Sequence, residues 1–169
     1  GGWRQRAAVD LHGVVRSMLA WEENDGLRQT AAGTYNNLYV INANGTATEI
    51  TPAGLTAGRI DANINTAYGG GFYGNEEYGL PRADTETILP ATTWSLENWG
   101  EYLLAMSHDD GKLYEWQGDV ATDAALIANA PTSCTGMMVT EERFVVCFGA
   151  GGDPRKVQWS DREDNTTWT

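Results

Sequence analysis

Residues that carry chemistry are scarce in this chain. Its 169 residues include two histidines, two cysteines and only 11 Lys plus Arg against 23 Asp plus Glu, for a formal net charge of −12. So little positive charge argues against a sequence-specific DNA-binding surface, because phosphate contacts come from Lys and Arg. An acidic wall is still compatible with DNA that passes without being held, and the same charge serves solubility. The two cysteines have no CxxC spacing and no neighbouring His cluster, which excludes the common zinc patterns. No run is apolar and long enough to cross a bilayer as a helix, and no basic stretch followed by an apolar one opens the chain. No membrane contact is therefore expected. Amphipathic helical periodicity is also missing. Only DVATDAALIANA (119–130) has helix-compatible composition, and its place in the repeat described below favours a strand. The chain opens with Gly rather than Met, and its last residues, NTTWT, read as a strand. It is expected to be a processed product or the ordered part of a longer protein.

Present in quantity are glycine (20), tryptophan (seven) and short apolar runs separated by Asn, Asp and Gly. That balance suits an all-β chain built of strands and tight turns. The runs repeat three times. VVRSMLAW, EENDG, LRQTAAG, TYNN and LYVIN form the first copy, and Asn44-Gly45 turns the chain into a fourth strand at Thr46–Ile50 that Thr51-Pro52 ends. TTWSL, ENWG, EYLLAMS, HDDGK and LYEWQ form the second, with Ala124–Ala128 as its outer strand. CTGMMV, TEE, RFVVCFG, AGGDPRK and VQWSD form the third, closed by Thr166–Trp168. Lys112-Leu113 and Lys156-Val157 hold the same place 44 residues apart, a period that fits one four-stranded propeller blade of roughly 40–50 residues. The expected fold is all-β: a β-propeller-like array of about three antiparallel four-stranded blades, part of a larger propeller because three blades do not close a ring. The expected units are a first blade at 1–53, a Gly/Tyr-rich insertion at 54–90, a second blade at 91–131 and an incomplete third at 132–169.

The insertion is the one break in the period. It contains Gly69-Gly70-Gly71 with Tyr68, Phe72, Tyr73 and Tyr78. Long loops in compact domains tend to be functional or disordered, and disordered linkers are poor in aromatics. Two readings stand side by side. Either the segment packs on a neighbouring subunit or partner through those four aromatics, or it folds over its own blade.

Few residues point to chemistry. Ser107, Asp109, Gly111 and Tyr114 in SHDDGKLY resemble an Asp-box, the turn of sialidase-type propellers. There the Asp accepts backbone N–H bonds of its own turn, the Gly takes positive φ and the aromatic buries beneath. Such a turn is structural, and DREDNTTW (161–168) is a degraded relative. His12 and His108 read as surface or turn residues. The blade-turn carboxylates lack EF-hand spacing, so neither a metal nor a cofactor is expected. Arg16, Arg28, Arg59, Arg82, Arg143, Arg155 and Arg162 carry no sign of convergence. Gly149-Ala150-Gly151-Gly152 is a wide turn and not a phosphate loop, since no Gly-Lys-Ser/Thr follows. A hairpin turning at Thr140-Glu141 would set Cys134 opposite Cys147, where a disulfide is conceivable, although two reduced buried thiols are favoured. Trp94, Trp99, Trp116, Trp159 and Trp168 are expected to pack between blades.

Two stretches carry a family resemblance. KVQWSDREDNTTWT, with its V-x-W-S-D followed by D-x-T-x-W, and LYVINANGTATEITP resemble segments of structural proteins of tailed bacteriophages. The propeller-bearing members of that type are tail nozzle proteins and related tail or adaptor components. The resemblance implies a non-enzymatic virion protein, located in the phage tail. It would form a ring of its own copies around the DNA conduit, beside other tail or portal-adaptor proteins, with DNA passing unbound. The alternative reading is a carbohydrate-active or glycan-binding, sialidase-like module.

Overall fold

The computed structural model describes residues 2, 10–62 and 90–169. The described chain holds twelve strands and one short 3₁₀ turn, Ala150–Gly152. They are β1 (Ser17–Glu22), β2 (Arg28–Gly33), β3 (Leu38–Asn42), β4 (Ala47–Glu49), β5 (Trp94–Trp99), β6 (Tyr102–Ser107), β7 (Leu113–Trp116), β8 (Ala125–Leu126), β9 (Gly136–Val139), β10 (Val145–Phe148), β11 (Val157–Asp161) and β12 (Asp164–Trp168). Each consecutive set of four forms one antiparallel meander, so the described chain is all-β with three four-stranded sheets. The segment with helical composition contributes β8, paired to β7 through Tyr114–Leu126 and Glu115–Ala125.

The sheets stack because the middle one is apolar on both faces. Successive side chains of a strand point to opposite faces, and YLLAMS on β6 divides its residues accordingly. Leu103 and Ala105 join Tyr114 and Trp116 in a core with Trp21, Leu38, Val40 and Ile50 of the first sheet. Leu104 and Met106 join Leu113 and Trp99 in a second core with Met137, Val145 and Cys147 of the third. A strand buried on both sides reads as a continuous apolar run rather than an alternating one, which explains the composition of β6. The first strands sit side by side, β1 against β5 and β5 against β9. Among the described residues the sheets are not closed into a ring.

Indole groups join the sheets. Trp94 donates from Nε1 to the Thr34 carbonyl at 2.6 Å and from its backbone N to Ser17 Oγ at 2.9 Å. Trp116 stands edge-on to Trp21 at 6.5 Å between ring centroids, and its Nε1 donates to the carbonyls of Asp119 (3.1 Å) and Thr122 (3.2 Å). Trp21 completes this core although the repeat did not single it out.

Four expectations need correction. ENWG does not turn at Glu97: β5 continues through Trp99, which pairs with Tyr102, because burying Trp99 between sheets two and three keeps the strand extended. The third hairpin turns later than Thr140-Glu141. Arg143 takes φ 67, the Arg143 N–H donates to the Thr140 carbonyl at 3.0 Å, and the guanidinium lies 5.2 Å from the centroid of the Trp99 ring, a cation–π contact. The later turn shifts the register, so Cys147 faces Met137 and not Cys134. Both cysteines are free and buried; they remain neighbours in the second core, and a hydrogen bond with Cys134, followed by burial, pushes the Cys147 thiol up. Finally, Trp159 is 48% exposed on the outer face of sheet three, whereas Trp94, Trp99 and Trp116 are buried between sheets.

Candidate functional site

The turn between β6 and β7 gathers the largest set of polar contacts between distant parts of the described chain. Gly111 takes φ 65, and its N–H donates to the Ser107 carbonyl at 2.8 Å. A side chain there would also place a Cβ 2.8 Å from the Ser133 Cα, because the Gly111 carbonyl accepts the Cys134 N–H at 3.0 Å. The turn is thereby bound to the chain entering sheet three. Gly111→Ala is expected to cost about 1–3 kcal/mol from the backbone conformation alone, with the clash added. It should appear as a lower urea midpoint at unchanged slope.

Below the turn, Tyr114 is 1% exposed. Its hydroxyl donates to Asp110 Oδ2 at 2.6 Å. Asp110 Oδ1 accepts Lys112 Nζ at 2.9 Å and the Thr56 N–H at 3.1 Å, and the Asp110 side chain is fully buried. Burial by itself would raise the pKa of this carboxyl. The hydrogen bonds from Tyr114, Thr56 and Lys112 outweigh it and hold the group below the usual carboxylate value. Burial, followed by the adjacent Asp110 carboxylate, raises the Tyr114 phenol, so it remains a proton donor.

Asp109 does not serve the amides of its own turn, as an Asp-box residue would. Its Oδ2 accepts the Arg59 N–H at 3.1 Å and the Thr92 hydroxyl, and its Oδ1 pairs with Arg59 Nη2 at 2.5 Å. Arg59 in turn donates from Nε to the Pro90 carbonyl at 3.0 Å, and its own carbonyl accepts the Thr92 N–H at 3.0 Å. Gly58 fits this crossing because a Cβ would overlap the Thr92 hydroxyl. Its N–H donates to the Tyr35 carbonyl at 2.7 Å. Two adjacent carboxylates therefore hold the beginning of the 54–90 segment, Asp110 at Thr56 and Asp109 at Arg59, and Asp109 also holds Thr92 just past its end.

His108 completes the group. Thr93 Oγ1 lies 3.0 Å from its Nδ1 and Ser95 Oγ lies 3.2 Å from its Nε2. Burial lowers its pKa, with the Asp109 charge opposing. A lowered folded pKa means that the unfolded chain takes up the proton first, so His108 contributes a loss of stability as pH falls below about 6.5. His108→Asn is expected to flatten that part of the stability–pH curve in urea titrations.

Ser107, Asp109, Gly111 and Tyr114 thus lie in and beside one turn, where the Ser107 carbonyl closes the turn and Asp109 clamps Arg59 and Thr92. The motif left unsaid that Asp110 is the buried carboxylate. It also gave no hint of Thr56, Arg59 and Thr92, since the Arg59–Asp109 bond spans 50 residues and no local pattern encodes it. Tyr68, Phe72, Tyr73 and Tyr78 lie outside the described residues. Arg16, Arg28, Arg59 and Arg155 pair respectively with Asp61, Glu22, Asp109 and Asp153 in different parts of the fold. Among the described residues no group of three or more His, Cys, Asp and Glu side chains is placed to hold a metal ion. No helix there is long and apolar enough to cross a membrane.

The stretch KVQWSDREDNTTWT has its own local logic. Asp164 Oδ1 accepts the Thr166 N–H (2.9 Å) and hydroxyl (2.7 Å), and Oδ2 accepts the Thr167 hydroxyl at 2.8 Å. These bonds hold its pKa down to about 2. Trp168 Nε1 donates to the Asn165 carbonyl at 2.7 Å, and the ring packs against the second core. The D-x-T-x-W spacing is a self-contained edge turn.

Comparison with protein-family models, with curated proteins and with solved structures gave no match.

Proposed function

We propose that this protein is a structural component of a phage tail, forming part of a rigid propeller-like wall around the DNA conduit and presenting the 54–90 segment to neighbouring tail subunits. The observation that carries the wall is the stacking order. Three meanders of the same kind lie face to face with their first strands, β1, β5 and β9, side by side, which is how blades are arranged about a propeller axis. The charge of −12 suits a surface that DNA slides past. The clamp at Asp109 and Asp110 gives the 54–90 segment a rigid base, as an element meant to meet a partner requires. The phage assignment itself rests on the resemblance of KVQWSDREDNTTWT and LYVINANGTATEITP.

Particles purified from the source of this sequence provide the test. Peptides of this chain are expected in their mass spectra at a fixed stoichiometry to the other tail proteins, and antibody against it is expected to label the tail. Particles that lack the chain and assemble and eject DNA normally would refute the reading. Binding or cleavage of sialosides by the purified protein would favour the glycan-directed alternative.

A further inference from the structure

Thr93, Ser95 and His108 form a run of hydrogen bonds that the clamp does not use. Successive residues of a strand point to opposite faces, so Thr93, just before β5, shares a face with Ser95 within it. The ladder sets Trp94 opposite Ser107 and Ser95 opposite Met106. Its next pair is Thr93 and His108, where the His108 N–H donates to the Thr93 carbonyl at 3.0 Å. The imidazole therefore lies across both hydroxyls, with Thr93 Oγ1 3.0 Å from Nδ1 and Ser95 Oγ 3.2 Å from Nε2. A third contact assigns the protons. The Met137 N–H of β9 donates to Ser95 Oγ at 3.4 Å, which takes one lone pair and leaves the serine O–H free to donate to Nε2. A neutral imidazole has one donor and one acceptor nitrogen, so in this assignment Nδ1 carries the hydrogen and donates it to Thr93 Oγ1. Partial desolvation favours that neutral form, with the Asp109 charge opposing, and a general base must be in it. His108 is exposed and Ser95 is half-buried, so a reactant in solution reaches both.

We propose that Ser95 is a nucleophile activated by His108, with Thr93 orienting the imidazole, and that it takes acyl groups from small esters. A nucleophile within hydrogen-bond reach of a base, and a base oriented by a third group, is the arrangement of covalent catalysis. Ser95 Oγ attacks the ester carbonyl carbon while its proton passes to Nε2. The tetrahedral adduct collapses, the alcohol leaves with the proton from Nε2, and an acyl-serine remains. Water then attacks the acyl carbon and gives one proton to Nε2, and Ser95 regains that proton as the carboxylic acid departs. The sum is ester plus water to alcohol plus acid, with no redox change. Esters fit better than amides because the one imidazole must return its proton to the leaving group, and an alcohol leaves more readily than an amine. Thr93 is a positioning residue. Its hydroxyl is uncharged where a carboxylate would stabilise the imidazolium, so turnover is expected to be slow. The activity goes beyond the structural role proposed above and is independent of it.

Incubation of the whole chain with p-nitrophenyl acetate, followed by peptide mass spectrometry, is expected to place one acetyl group on Ser95. An alkyl fluorophosphonate is expected to label the same residue and stop turnover. Ser95→Ala should lose both the label and the turnover. His108→Asn should slow acylation at least ~100-fold, the low end for a positioned base, with far-ultraviolet circular dichroism unchanged. In the wild type the acylation rate should rise with pH through one ionisation below about 6.5, as His108 sheds its proton. The charged groups about it are Asp109, paired with Arg59, and Glu97, two residues on from Ser95 along the same face of β5. Thr93→Val should lower kcat with KM unchanged, and Thr93→Ser should restore it. An acetyl group found elsewhere while Ser95 stays free, or a Ser95 label that forms at the wild-type rate in His108→Asn, would overturn the proposal. So would a wild type that takes up neither probe. None of these outcomes bears on the phage-tail assignment, which the particle mass spectra decide.

Discussion

Asp110→Ala is expected to lower stability by about 3–5 kcal/mol, the range for removing one partner of a buried, hydrogen-bonded charge pair. Its carboxylate is fully buried and serves three donors at once: the Tyr114 hydroxyl, Lys112 Nζ and the Thr56 N–H. Removal leaves the Tyr114 hydroxyl inside the protein with no acceptor and frees the chain at Thr56. The loss should show in urea unfolding and, beforehand, as faster tryptic cleavage at Arg59. The same carboxyl fixes a pH dependence. Because its folded pKa is depressed, its contribution is fully present above the ordinary carboxylate pKa of about 3.9 and is lost as pH falls through the lower, folded value. The gap between wild type and variant should therefore be constant near neutrality and close in strong acid. A gap that does not change with pH would mean that Asp110 acts through packing and not through charge.

Trp116→Ala is expected to cost about 3–5 kcal/mol, the usual range for removing a large buried aromatic. Trp116 is 1% exposed, stands edge-on to Trp21 across the contact between sheets one and two, and holds the 117–123 loop through its indole N–H. Since small domains are stable by only about 5–15 kcal/mol, the variant should unfold at much lower urea and lose protection in sheets one and two together. Trp159→Ala provides the contrast. On an exposed face it should change the stability of the single chain by no more than about 0.5 kcal/mol. A comparable loss at both positions would contradict the separation between packed and open faces.

The three sheets were legible in the sequence because each strand announces itself locally. Asn44-Gly45 marks one hairpin, and the runs VVCF and YLLAMS are too short and too apolar for surface helices. The repeat also chose correctly between helix and strand at Ala125–Leu126, where composition alone favours a helix. What the sequence hid was register and distance. The third hairpin was displaced by a left-handed Arg143, a conformation unusual for Arg and supported here by the Trp99 contact, and that displacement set Met137 rather than Cys134 opposite Cys147. Trp159 was assigned to an interior with the other indoles because large flat side chains fill the gaps between blades. Spacing identifies which face a residue lies on, not whether anything covers that face. The clamp was half legible: Gly111 and Tyr114 follow from the turn motif, whereas the partners of Asp109 and Asp110 come from the far side of a long insertion.

Electron cryomicroscopy of the wild-type protein tests the central claim most directly. The account predicts a closed ring of stacked four-stranded sheets with β1, β5 and β9 facing the central axis. Sheets packed as an isolated sandwich, or a particle in which β1, β5 and β9 face outward, would contradict it.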